Sequence, residues 1–172
     1  MVWVDIIITI LFIFSFIAGL KEGAVKALLS LVGLIIAIPV AAYFYDMMAN
    51  VLGFIPDFNW QYFLGFFFTL IIALILLALI FFLPSRLIEG IWSRGVIFTI
   101  LGGVFSVISF AISLTLFTII IDKYPIWDWL EQVLNNSNII DWLTVFSGFV
   151  YFLLPSDFKE TMDTVWLFFK SV

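Results

Sequence analysis

Between Val96 and Ile121 the chain carries no charged residue. At about 1.5 Å per residue, a helix of that length exceeds the ~30 Å hydrocarbon core of a bilayer, so it spans a membrane with some tilt. Within the run, Thr99, Gly102, Ser106, Ser109 and Ser113 recur at alternating steps of three and four, which makes one seam along one helix face. The rest of that surface is Ile, Leu, Phe and Val. In lipid, helices gain little by burying Leu against Leu; they associate where small residues let backbones approach. The seam is therefore expected to be where other spans dock.

Composition places the whole chain in the same class. Hydrophobic residues make up 65%, charged residues 11%, and mean hydropathy is +1.28, values that fit a polytopic membrane protein and no soluble domain. With 172 residues there is room for a few spans and short loops, hence one membrane domain over 1–172. The formal net charge of -5 is small and dispersed, which speaks against an acidic tail and against a nucleic-acid partner. Cysteine and histidine are both absent. That removes disulfides, thiolate chemistry, zinc hydrolysis, Ser-His catalysis and histidine proton relays.

Taken in order, hydropathy predicts an all-α protein with four transmembrane helices over 3–18, 24–45, 60–83 and 96–121. The start of the chain lacks a basic n-region and an A-x-A cleavage pattern, so it reads as a retained span and not as a secretory signal. Asp5 falls in the first turn, where the helix dipole favours a carboxylate. Gly19 and Gly23 bracket a tight connector. The second span carries its own small-residue track at Ala27, Ser30, Gly33 and Ala37, with Pro39 inside it. The third has Gly65, Thr69 and Ala73 at steps of four, and Pro84 is expected to end it. The apolar loop from Asp46 to Asn59 reads as lying against headgroups.

Four further segments read as amphipathic or interfacial: 85–94, 125–134, 139–154 and 157–170. The third, about 16 residues and so shorter than the ~20 that a span needs, is expected to lie at the interface or half inserted, with Asn138 and Asp141 at its start; the alternative is a fifth span, which would change the side of the C-terminus. The chain's seven tryptophans fall at span ends or in these segments. Lys21, Lys26, Arg86 and Arg94 flank the first and third connectors. The positive-inside rule puts those connectors in the cytoplasm and both chain ends outside.

No charge lies in the middle of any of the four spans, whereas ion-coupled transporters and pumps use such charges as their working parts. No phosphate-binding loop, dinucleotide fingerprint or metal spacing appears. The expectation is a protein that is not an enzyme and uses no cofactor. Its partners would be the lipid bilayer, and a homo-oligomer or other envelope proteins. The hydroxyls of Thr99, Ser106, Ser109 and Ser113 leave open a narrow polar path, as in a small channel or transporter component. A holin-like permeabilising protein is a third reading.

The opening VDIIITILFIFSFIAGLKEGAVKALLSLVGLIIAIPVAAYFYD resembles the colicin V production protein family of bacterial inner-membrane proteins. The shared pattern is the early Asp5, Gly19 and Gly23 around basic residues, and a span closing on Tyr43 to Tyr45. Later, Gly102 and Ser106 in LGGVFS are similar to that family's glycine-rich helix start. Trp127, the Asn135–Asn138 turn and the Leu154-Pro155 ending follow in order. A serine where many members have a second glycine and the segment after Pro155 are departures. The resemblance implies a multi-pass inner-membrane protein needed for colicin V production and linked to envelope homeostasis. It brings no catalytic residues.

Overall fold

The computed structural model describes residues 3–92, 95–127, 129–130, 134 and 137–155, with side chains throughout except at 82–92, 141 and 144. Five helices organise them: α1 (Trp3–Glu22), α2 (Ala24–Val51), α3 (Phe58–Trp92), α4 (Val96–Lys123) and α5 (Asn138–Leu153). Among the described residues there is no strand. The first four helices contain stretches long and apolar enough to cross a membrane, so the all-α, four-span class expected from hydropathy is the one observed.

Helix ends depart from hydropathy in instructive ways. The first span is expected to stop at 18, yet α1 continues through Gly19 and Leu20 to Glu22. The whole reversal falls to Gly23, whose φ of +80° is a conformation that a side chain would strain. Its N–H closes on the Gly19 carbonyl at 3.0 Å and its carbonyl accepts from Ala27 at 3.1 Å, so one residue ends α1 and begins α2. The loop expected over Asp46–Asn59 shrinks to residues 52–57. Met47, Met48 and Ala49 carry the helix onward, and Gly53 is the first residue with poor helix propensity.

Pro84 does not end the third helix. α3 passes through it to Trp92, so 85–94 is not a separate in-plane helix. Its backbone to 92 continues α3, while 93–94 lie outside the described residues. Proline's fixed φ is itself helical, and a membrane helix can absorb one missing hydrogen bond where neighbours or water satisfy the freed carbonyl. α2 likewise runs through Pro39. At 35 residues α3 is longer than the membrane requires, and its stretch Phe58–Phe81 is by itself long and apolar enough to cross one.

The helices pack in the order α3, α2, α4, α1, with α5 mainly on α4. Small residues put α2 at the centre: Ala37, Ile38 and Ala41 are fully buried, in one core cluster with Leu70 and Ala73 of α3 and Leu116 and Ile120 of α4. The outward faces, such as Ile10 and Phe14 of α1 or Ile75 and Leu79 of α3, are apolar and exposed, as a lipid solvent allows. Up-and-down connectivity gathers the start of α1, residues 52–57 and the end of α4 at one end of the bundle. Lys21, Glu22 and Lys26 mark the other.

α5 lies across the first of these ends. Ser15 meets Ser106 and Phe12 meets Phe110, an antiparallel register that sets Asp5 about level with Leu116, roughly 9 Å inside Asp122 along α4. α5 starts against Asp5, while Tyr151 in its last turn is near enough to Asp122 for that carboxylate to act on its phenol. A helix descending beside α4 would carry Tyr151 about 20 Å away from Asp5 toward the opposite end. Both ends of α5 therefore stay at one end of the bundle. Of the other interfacial segments, 125–134 is described only in part, with Trp127 stacked on Trp129 at 6.0 Å and Leu134 buried. The segment 157–170 lies outside the described residues.

Candidate functional site

The most distinctive polar arrangement is built around Asp5. Its position in the first turn of α1 suggests an interfacial carboxylate, but the side chain is 1% exposed. The Ser137 hydroxyl donates to Oδ1 at 2.5 Å, and the Asn138 side-chain amide makes a longer contact to Oδ2 at 3.5 Å. Ser137 is also the N-cap of α5, accepting from the Ile140 N–H. The helix thus begins one residue earlier in its capping than the Asn138–Asp141 pairing suggests, and the Asp141 side chain lies outside the described ones. Two helix N-termini, that of α1 and that of α5, converge on one carboxylate. Each presents the positive end of its dipole to an anion.

Asp5 lies in the first turn of α1, as its sequence position predicts, but its partner Ser137 is remote in the chain, and the signal that points to it is physical. A carboxylate among apolar residues needs charge-compensating hydrogen bonds, and Ser137-Asn138 before an apolar run offers a helix start with hydroxyl and amide groups.

The small-residue seam of α4 splits between roles. Thr99 is exposed and turned back toward the Gly95 carbonyl at 3.4 Å. Gly102 is buried against α1 and the α1–α2 hinge: a Cβ there would stand 2.5 Å from the Gly19 oxygen and 2.7 Å from the Gly23 carbonyl carbon. Ser106 receives the Ser15 hydroxyl on its backbone oxygen at 3.0 Å, with the two hydroxyls 3.1 Å apart. Ser109 donates to its own helix at Phe105, 3.0 Å away, and Ser113 is half-buried. The Gly102–Ser106 end of this seam docks on α1, where Gly19 and Ser15 offer the matching low surface, with Ala24 at the start of α2 also close to Gly102.

The other tracks also find specific neighbours. Gly65 of α3 sits against α2 so closely that a Cβ would stand 2.9 Å from the Ala49 nitrogen. Thr69 is buried and bonds back to the Gly65 carbonyl at 2.7 Å, and Ala73 is buried one turn on. On α2, Ala27 and Ala37 are buried, whereas Ser30 is exposed and lines a cleft beside Gly33.

Around the Asp5 end, side chains tie the helix termini together. Asp57 caps α3, its Oδ1 accepting from Asn59 at 2.8 Å and Trp60 at 3.3 Å. The Gln61 amide donates to the Ala49 carbonyl at 2.8 Å and the Asn59 amide to the Pro125 carbonyl at 3.0 Å. Tyr62 stacks on Tyr124 with centroids 5.6 Å apart. Burial, then a hydrogen bond with Tyr45, holds the Tyr124 phenol far above its ordinary range, so it stays protonated.

Chemically, these groups join helices. The Asp5 carboxylate is engaged by the start of α5, and the hydroxyls bond across α1 and α4 or back to their own carbonyls. Among the described residues no cluster of three or more acidic side chains could hold a metal ion.

The chain matches one family model, described as Colicin V production protein, over residues 4–148. That stretch takes in all four spans, the Asp5–Ser137 contact and most of α5. A search of curated proteins finds no match, and neither does a search of solved structures.

Proposed function

Because this chain belongs to the colicin V production protein family, we propose that it is a non-enzymatic protein of the bacterial inner membrane that supports bacteriocin production or export and envelope homeostasis. The family match across residues 4–148 carries this reading. The chemistry of the bundle supports it, since its hydroxyls and its buried carboxylate are used in joining helices. Thr99 faces outward, Ser106 is taken by Ser15 and Ser109 by its own helix. These groups do not converge on a shared path, which weighs against a conduit.

In this reading Lys21, Lys26, Arg86 and Arg94 face the cytoplasm, and the Asp5 end faces outward with both chain ends. α5 lies in the outer interfacial layer, where Trp142 and Phe152, 68% and 79% exposed, sit among headgroups. The partners are the bilayer and either further copies or other envelope proteins.

A deletion strain tests the role. Bacteriocin release and tolerance of envelope stress should both fall and return with a plasmid copy; a strain normal in both respects overturns the proposal. Reporter fusions after Asn50 and Val172 should report the outer side and one after Arg94 the cytoplasm. Gradient-driven solute flux from reconstituted protein would favour the conduit instead.

A further inference from the structure

α2 and α3 are in closest contact near the Asp5 end, where Gly65 meets Ala49, and they part toward the Lys26 end. There a Cβ added to Gly33 would meet, among the described residues, the ring of Phe81 at 3.6 Å. A cleft of about 340 Å³ opens between them, within the range of small-ligand sites. Its α2 wall is Lys26, Leu29, Ser30 and Gly33, one helix face at steps of three and four. Leu74, Leu77, Ala78 and Phe81 form the α3 wall at the same spacing.

The order of chemistry along the cleft is specific. The contacts Gly65–Ala49 and Gly33–Phe81 set an antiparallel register in which Leu74 lies level with Val40. From Lys26 to that level is about 21 Å, somewhat more than half of the ~30 Å hydrocarbon core. Moving inward, a ligand meets an ammonium at Lys26, then a hydroxyl one turn deeper at Ser30, then only apolar side chains. A phospholipid presents the complementary order: phosphate, glycerol ester, acyl chain. Lys26 is held at 3.8 Å from Glu22, but both are exposed, and an i,i+4 pair of that kind is too weak to withhold the ammonium from a phosphate.

We propose that this cleft is a binding site for one anionic phospholipid, with its phosphate on Lys26, its glycerol region at Ser30 and one acyl chain along Leu77, Ala78 and Leu74. The site is independent of the functional reading above. The ligand is taken as a lipid rather than a free anion because the polar groups occupy only the mouth, and everything beyond them is apolar. Basic residues close to a membrane surface favour anionic headgroups by about fivefold each.

Native mass spectrometry of the full chain released from detergent tests the assignment, with dioleoylphosphatidylglycerol, dioleoylphosphatidylcholine and inorganic phosphate as probes. Wild type should retain one phosphatidylglycerol about fivefold more tightly than phosphatidylcholine. Lys26→Gln should bring the two lipids level, and Lys26→Arg should keep the preference. Ala78→Phe, at an exposed position on the cleft wall, should lower retention of both lipids severalfold while leaving thermal stability unchanged. Equal retention of both lipids by wild type, an unaltered preference in Lys26→Gln, or unaltered retention in Ala78→Phe overturns the proposal. So does inorganic phosphate displacing the bound lipid at equal concentration, which would identify a headgroup ion site without a chain site.

Discussion

Replacing Gly102 by alanine should loosen the α1–α4 contact, and its cost can be worked from the geometry. The new Cβ would stand 2.5 Å from the Gly19 oxygen, 2.7 Å from the Gly23 carbonyl carbon and 3.0 Å from the Ala24 nitrogen. All three are backbone atoms of α1, the hinge and α2, so no side-chain rotation relieves the clash. Restoring ordinary contact requires α1 to withdraw by about 1 Å, and overpacking of this kind costs about 1–3 kcal/mol. The Ser15–Ser106 bond at 3.0 Å would stretch beyond hydrogen-bonding range, adding about 0.6 kcal/mol. Against this, alanine gains up to about 1 kcal/mol in helix propensity over glycine. With the full propensity gain, the net expectation is a destabilisation of about 0.6–2.6 kcal/mol. Unfolding in mixed detergent micelles measures it, with Gly148→Ala as control, since nothing lies within 4 Å of a Cβ there. Gly19→Ala should cost a similar amount. The double variant should cost less than the sum, because helices already moved apart admit the second methyl cheaply. If Gly102→Ala proved as stable as the control, the close approach of α1 and α4 would be refuted. Gly102→Ile and Ser106→Leu extend the same series with larger losses.

Asp5→Ala leaves the Ser137 hydroxyl buried without its acceptor and should cost about 1–3 kcal/mol, with α5 becoming more open to proteolysis. Asp5→Asn, which keeps an acceptor oxygen, should lose less, and equal protection of α5 in all three proteins would contradict the anchor. Ser137→Ala removes both the donor to Asp5 and the cap of α5, for a loss of about 1–2 kcal/mol by the same unfolding assay. Ser137→Ala matching wild type would mean that the cap contributes nothing. For Tyr124 the sign runs with alkalinity. Its folded-state pKa is raised, so above about pH 10 the unfolded chain ionises while the folded one stays neutral, and stability falls as pH rises. Tyr124→Phe should flatten that decline in a pH series, and an unchanged slope would argue against the buried phenol.

Much of this protein follows from its amino acids taken one at a time. Partition into lipid is a property summed along a helix, so the uncharged runs established four spans, and the absence of histidine and cysteine closed off most site chemistry. The order of Asp5, Gly19, Gly23 and Gly102 already resembles the pattern of the family whose model matches residues 4–148. Where helices stop was less accessible, because neither Pro84 nor the Asp46–Val51 stretch breaks a helix that its neighbours and the bilayer will carry. Which helices touch was not accessible at all. Gly102 could have faced any small-residue track, since Ala27, Gly33 and Gly65 offer similar low surfaces, and in lipid they differ only in how shapes fit. Tertiary structure chose Gly19 and Ser15. It also brought Ser137 to Asp5 from 132 residues away, turning an ordinary first-turn carboxylate into the anchor of α5. Hydropathy is local and additive, whereas complementarity between surfaces and the pairing of a buried charge exist only once two segments have met.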